Sequence, residues 1–127
     1  MRAADTNILV RLATRDDPKQ ATAADSFVSK SAWISHLVLV EALWVLDSVY
    51  GLERARIGAM VEVLLDHREL VLQDAEVVAA ALARFRASTA VTFSDCLILE
   101  TARKAGHLPL GTLDRKLAKL DGAQLVV

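Results

Sequence analysis

Four acidic residues carry the clearest chemical signal in this 127-residue sequence. Asp5 and Asp114 each follow a short apolar segment that has the character of a strand. Asp95 lies at the expected start of a helix, and Glu41 interrupts the apolar run LVLVEALWVL. Carboxylates gathered in one place repel one another unless a cation lies among them, and all-oxygen ligands favour Mg²⁺ or Mn²⁺ over zinc. The four positions therefore predict a divalent-metal site if the fold brings them together.

Each of these acids also has a purely structural interpretation. Asp is a common helix N-cap, which would suit Asp5 and Asp114, and the helix dipole favours an acid such as Asp95 in a first turn. Glu41 has no cation three or four residues away on its helix. Because a buried carboxylate without a partner is costly, Glu41 either has a special role on a buried helix or reaches solvent from a tilted one. The residues alone leave both interpretations open.

The elements that would position these acids follow from the apolar pattern. Since the chain has only two prolines and five glycines, helices should dominate. The pattern predicts strands over residues 2–4, 32–35, 69–73, 108–112 and 124–127. It predicts helices over residues 6–13, 18–29, 36–50, 53–67, 75–88, 94–105 and 115–120. Short apolar strands that alternate with helices indicate an α/β fold with a parallel sheet covered on both faces, and ligands bind beyond the carboxyl ends of such strands.

Composition narrows the class of protein. A formal charge of −1 argues against a basic protein that coats nucleic acid, but it allows an enzyme with a few local cations. The high apolar fraction of 54 % could belong to the core or to a surface buried against a partner, and the limited interior of so small a chain favours a partner surface, part of it within residues 33–65. A single cysteine, Cys96, fits a reducing compartment. With no apolar run that suits a signal peptide or a membrane span, a cytoplasmic protein without membrane contact is expected.

Four motifs in order resemble one known family. ADTNILV around Asp5, the lone Glu41 in its apolar helix, FSDCLI around Asp95 and GTLD ending at Asp114 resemble the PIN-domain ribonucleases. Their order, their spacing and the chain length are similar to the VapC-type toxins of type II toxin–antitoxin systems. The resemblance implies a single domain over residues 1–127 with a three-layer α/β/α sandwich around a central parallel sheet. It also implies RNA cleavage that depends on Mg²⁺ or Mn²⁺, a homodimer and a cognate antitoxin protein.

The resemblance assigns roles residue by residue. The family's catalytic, metal-holding acids are matched by Asp5, Glu41, Asp95 and Asp114. Its supporting polar positions are matched by Asn7 and Thr112, and Thr92 stands where some members carry a further acid. That departure argues against a strong second-metal site, although Thr92 could hold a metal-bound water. Cations that could contact the RNA backbone, or simply be solvated, follow Asp114 directly: Arg115, Lys116 and Lys119.

Two other functions compete with the ribonuclease. A haloacid-dehalogenase-like Mg²⁺ phosphatase also begins with a strand that ends in Asp, but its motif needs a second Asp where this chain has Asn7. It also gives no role to Glu41. The other alternative is a PIN-like module that has lost catalysis and only binds a partner, and the presence of all four acids argues against it.

Overall fold

A computed structural model describes the whole chain, residues 1–127. It contains six α-helices, five short strands and one 3-10 turn. The strands are β1 (Arg2–Ala3), β2 (Ala32–Ile34), β3 (Leu70–Leu72), β4 (Leu110–Thr112) and β5 (Ala123–Leu125). The helices are α1 (Thr6–Thr14), α2 (Pro18–Val28), α3 (His36–Ser48), α4 (Arg54–Asp66), α5 (Ala75–Ala87) and α6 (Phe93–Ala105), and the 3-10 turn is Leu117–Lys119. Every strand pair is parallel, so the predicted α/β class is confirmed.

The chain forms two compact units, and the first comprises residues Met1–Ala75. Its sheet has the order β1-β2-β3, in which Ala32 of β2 is in register with Arg2 on one side and Leu70 on the other. Along β2, Ala32 and Ile34 are buried and Trp33 between them is exposed, as strand geometry requires. Helix α1 packs against both α2 and α3. The buried face of this unit is aliphatic because Ile34, Leu39 and Val61 are all fully covered.

Local capping decides where the helices of the first unit begin. Asp17 accepts a hydrogen bond from the backbone N–H of Gln20, and Pro18 supplies the first residue of α2. Ser35 follows β2 directly, and its hydroxyl accepts a hydrogen bond from the N–H of Val38 at 3.1 Å. Helix α3 therefore starts at the carboxyl end of β2, which places Glu41 in the second turn of the helix.

The second unit comprises residues Glu76–Val127. Strands β4 and β5 form a two-stranded parallel sheet in which Leu110 is in register with Ala123. The rings of Phe85 and Phe93 meet edge to face, with centroids 6.0 Å apart, and this contact joins α5 to the start of α6. Gly106, in the left-handed region at φ 82°, ends α6.

All predicted elements are present, and the differences are shifts of their ends and one change of type. The predicted helix over residues 115–120 is a single 3-10 turn, closed by a hydrogen bond from the N–H of Leu120 to the carbonyl of Leu117 at 3.0 Å. The N–H of Ala118 donates to the carbonyl of Asp114 at 3.0 Å, as in an α-helix, but the next two hydrogen bonds are of the shorter 3-10 type, so the α-helix does not continue. No helix in the structure is both long enough and apolar enough to cross a membrane.

Candidate functional site

Asp5 lies at the point where β1 gives way to α1. Its Oδ1 accepts a hydrogen bond from the N–H of Thr6 at 2.8 Å, and its carbonyl accepts one from the N–H of Ile8 at 3.1 Å. The side chain is exposed, and it forms no ion pair. The helix-cap interpretation is therefore confirmed for one carboxylate oxygen, and the carboxylate still faces solvent at the carboxyl end of a parallel strand.

The expectation that Glu41 lies on a buried helix is wrong. Glu41 is exposed, and the two residues that share its face of α3, Leu37 and Trp44, are 83 % and 64 % exposed. The opposite face, with Leu39 and Leu46, is the one that packs into the core. An all-apolar helix can leave one face in solvent, so its sequence alone did not reveal which residues are buried. Because Glu41 reaches solvent, its carboxylate does not carry the desolvation cost of a buried charge.

Thr6 connects the two acids of the first unit. Its hydroxyl donates a hydrogen bond to Oε2 of Glu41 at 3.1 Å, while its backbone N–H donates to Asp5. Thr6 itself is 7 % exposed, so packing holds it in place. Thr6 was not among the predicted site residues, although its position directly after Asp5 in the DTN motif was an available signal. Asn7, which was predicted to support the site, is exposed and makes no side-chain hydrogen bond.

Asp95 lies in the first turn of α6 in the second unit. Thr92 is the N-cap of this helix, and its hydroxyl accepts a hydrogen bond from the N–H of Asp95 at 3.2 Å. The hydroxyls of Thr92 and Ser94 are 3.1 Å apart and share a second hydrogen bond. Asp95 is partly buried and has no ion-pair partner. Thr92 therefore acts as a helix cap, and its predicted contact with a metal-bound water stays a prediction.

Asp114 lies in the turn that follows β4. Its Oδ1 accepts hydrogen bonds from the N–H groups of Lys116 at 2.8 Å and Leu117 at 3.2 Å, as the cap interpretation predicts. The hydroxyl of Thr112 accepts a hydrogen bond from the N–H of Asp114 at 3.0 Å. Thr112 thus holds the backbone on which Asp114 is placed, which is the contact expected of a supporting residue.

The four acids share their lack of ion pairs with other exposed acids of the chain, such as Asp47. None of the four acids forms an ion pair, and the structure contains no cluster of three or more His, Cys, Asp or Glu side chains arranged to hold a metal. Acids elsewhere do find cations, such as Asp25 with Arg15 at 2.6 Å. The three cations that follow Asp114 are exposed: Arg115, Lys116 and Lys119.

Comparison with known proteins identifies the family. Residues 3–123 match the family described as "PIN domain", so the match includes most of both units and all four acids. None of the curated proteins compared with the chain matches it. The PIN fold is a nuclease-type fold, and the α/β class found in the structure agrees with it. The chain belongs to the PIN domain family, whose members are generally nucleases.

Proposed function

We propose that this protein is a ribonuclease that depends on Mg²⁺ or Mn²⁺. The proposed catalytic and metal-holding acids are Asp5, Glu41, Asp95 and Asp114. One observation carries the proposal: the hydroxyl of Thr6 donates a hydrogen bond to Glu41, and its backbone N–H donates one to Asp5. This arrangement occurs in a chain that belongs to a family of nucleases. The contact with Asp5 also caps α1, whereas the contact with Glu41 joins two helices and fixes the direction of an exposed carboxylate.

The donor chemistry suits a hard divalent cation. Asp5 and Glu41 present carboxylate oxygens that are bonded only to an amide and a hydroxyl, with no lysine or arginine to neutralise them. Oxygen donors of this kind are the ligands that Mg²⁺ and Mn²⁺ prefer. When bound, the ion supplies charge neutralisation at the phosphate and a water of lowered pKa.

The residues of the chain orient the acids. Thr6 holds the Glu41 carboxylate in one direction, and the amides at the start of the 3-10 turn hold that of Asp114. Thr92 caps the helix that carries Asp95. In the reaction, water adds to phosphorus, the P–O3′ bond breaks, and the 3′-oxygen leaves with a proton. The products would be a 5′-phosphate and a 3′-hydroxyl.

The test is cleavage of total RNA by the purified chain in Mg²⁺, in Mn²⁺ and in EDTA. Asp5→Asn and Asp95→Asn, made separately, are expected to abolish metal-dependent cleavage without unfolding the protein. Asp47→Asn is the matched control because Asp47 is an exposed acid of α3 without an ion pair. Full activity in both site variants would refute the assignment. A folded protein that binds metal but cuts no RNA would indicate the catalytically silent, partner-binding module instead.

The biological role we propose is that of a VapC-type toxin, which forms a homodimer and is neutralised by a cognate antitoxin. Support comes from the resemblance and from apolar side chains that remain exposed within residues 33–65: Trp33, Leu37, Trp44, Val49 and Val63. Large exposed apolar side chains favour burial against a partner. The purified chain is expected to be a dimer in light scattering after gel filtration, and a stable monomer would count against this role. The single domain over residues 1–127 and the cytoplasmic location stay predictions.

A further inference from the structure

The second unit contains an open cavity of about 340 Å³ between the α5–α6 loop and the 3-10 turn. Lys116 and Lys119 line it on one side, and Ser88, Thr89 and Ala90 line it on the other. No carboxylate lines the cavity. Its charged groups are therefore both cationic, and hydroxyl and amide groups of the loop accompany them.

These two lysines differ from three other cations of the second unit. Arg84 and Arg103 both pair with Glu100, and Lys104 pairs with Glu76. Lys116 and Lys119 form no ion pair, although they lie three residues apart and line the same cavity. Two like charges at one cavity repel each other unless an anion lies between them. The cavity thus has the charge and the donor groups that a phosphate requires.

The cavity also adjoins two of the proposed catalytic acids along the chain. The N–H of Lys116 donates directly to the Asp114 carboxylate at 2.8 Å. The loop on the other side of the cavity leads into Thr92, whose hydroxyl binds the N–H of Asp95. The same backbone segments therefore carry both the acids and the cavity walls.

We infer that this cavity binds a backbone phosphate of the RNA strand, outside the phosphodiester that is cut. Lys116 and Lys119 supply the charge, and the loop at Thr89 supplies neutral donors. This inference rests on the proposed function and adds a discrete phosphate subsite to it. Arg115 does not line the cavity, so it lies outside this subsite. Its occupant is an anion of the substrate, since both charged side chains that line the cavity are cationic.

Binding of a fluorescent single-stranded RNA, measured by anisotropy in EDTA so that no cleavage occurs, tests the subsite. Changing Lys116 and Lys119 together to Ala is expected to remove one phosphate contact, and therefore to weaken binding about fourfold at about 0.15 M salt and to lower the salt slope by about 0.7. The matched control removes the same charge elsewhere, with Lys19→Ala and Lys30→Ala, both exposed and unpaired. Arg115→Ala should weaken binding clearly less than Lys116→Ala. Restoring charge with Arg at both cavity positions should recover the affinity.

A second arm locates the phosphate. In a series of RNAs, each carries one uncharged methylphosphonate at a different linkage. At one linkage, the change is expected to weaken binding to the wild-type protein but not to the double lysine variant. The subsite would be overturned if the cavity and control double variants lost equal affinity for RNA. It would also be overturned if the protein bound no RNA, or if no linkage gave this pattern. Cleavage by wild type with unchanged binding in the lysine variants would refute the subsite and leave the ribonuclease intact. The expected binding pattern without cleavage would refute the ribonuclease and leave the subsite intact.

Discussion

Replacing Thr6 with Val tests whether the hydroxyl bridge between helices α1 and α3 serves the site. The two side chains have nearly the same shape, so the change removes the hydrogen bond from the hydroxyl to Oε2 of Glu41 and little else. The backbone N–H of residue 6 can still donate to Asp5, so the start of α1 remains capped. We expect the Glu41 carboxylate to lose its fixed direction while the fold persists.

The structure sets different magnitudes for stability and for activity. Glu41 is exposed, so water can replace the lost donor, and the free energy of unfolding should fall by less than about 1 kcal/mol. That corresponds to a drop of a few degrees at most in Tm for a chain of this length. By contrast, removing a residue that orients a metal ligand typically lowers metal affinity or activity about 10- to 100-fold. The functional loss should therefore greatly exceed the thermal one.

The assay is the initial rate of RNA cleavage as a function of Mn²⁺ concentration, with Tm measured on the same samples. Thr6→Val should require about 10-fold or more Mn²⁺ for half-maximal rate, and Thr6→Ser, which keeps the hydroxyl, should behave like wild type. Thr14→Val is the matched control because Thr14 lies in the same helix and its single hydroxyl proton is within hydrogen-bond reach of two acceptors, the carbonyl of Val10 at 2.9 Å and Oδ1 of Asp16 at 2.8 Å. This control should leave the metal dependence unchanged.

An unchanged Mn²⁺ dependence in Thr6→Val would refute the reasoning. So would a Thr6→Ser protein that is as impaired as the Val variant, because the hydroxyl would then not be the group that matters. If Thr6→Val loses its fold, Glu41→Gln provides the comparison, since an exposed carboxylate can be replaced without cost to the core. That variant should also shift the metal dependence.

Two further predictions concern stability. Glu100 is 6 % exposed and forms ion pairs with Arg84 at 3.6 Å and Arg103 at 3.3 Å. Glu100→Gln should therefore lower the free energy of unfolding by about 2 kcal/mol and the urea midpoint by about 1 M. An unchanged midpoint would contradict this prediction. The pKa of Asp16 is held below its ordinary value, first because the Tyr50 hydroxyl donates a hydrogen bond to the carboxylate. The ionised Asp16 therefore stabilises the fold above about pH 3.9, and this stabilisation is lost as the pH falls through the lower pKa of the folded state. Tyr50→Phe should therefore be less stable than wild type at pH 7, with a difference that shrinks below about pH 3.9 in urea unfolding; a constant difference at every pH would argue against this linkage.

Interactions within a few residues could be predicted from the sequence. The order of the elements, and the type of all but the 3-10 turn, were correct because many of their signals are local: Pro18 opens α2, and Gly106 ends α6. The cap roles that were considered for Asp5 and Asp114 are also local, since each binds an N–H within three residues. Backbone geometry and side-chain reach decide these features before any tertiary contact forms.

Tertiary structure decided which residues meet and which face solvent. The apolar pattern of helix α3 left open whether Glu41 is buried or exposed, because exposure depends on which face packs against elements distant in sequence. The hydrogen bond from Thr6 to Glu41 spans 35 residues, and the cavity joins the loop at Thr89 to Lys116. Such contacts depend on how helices and strands pack, and packing is set by the shapes of many side chains together rather than by any one segment.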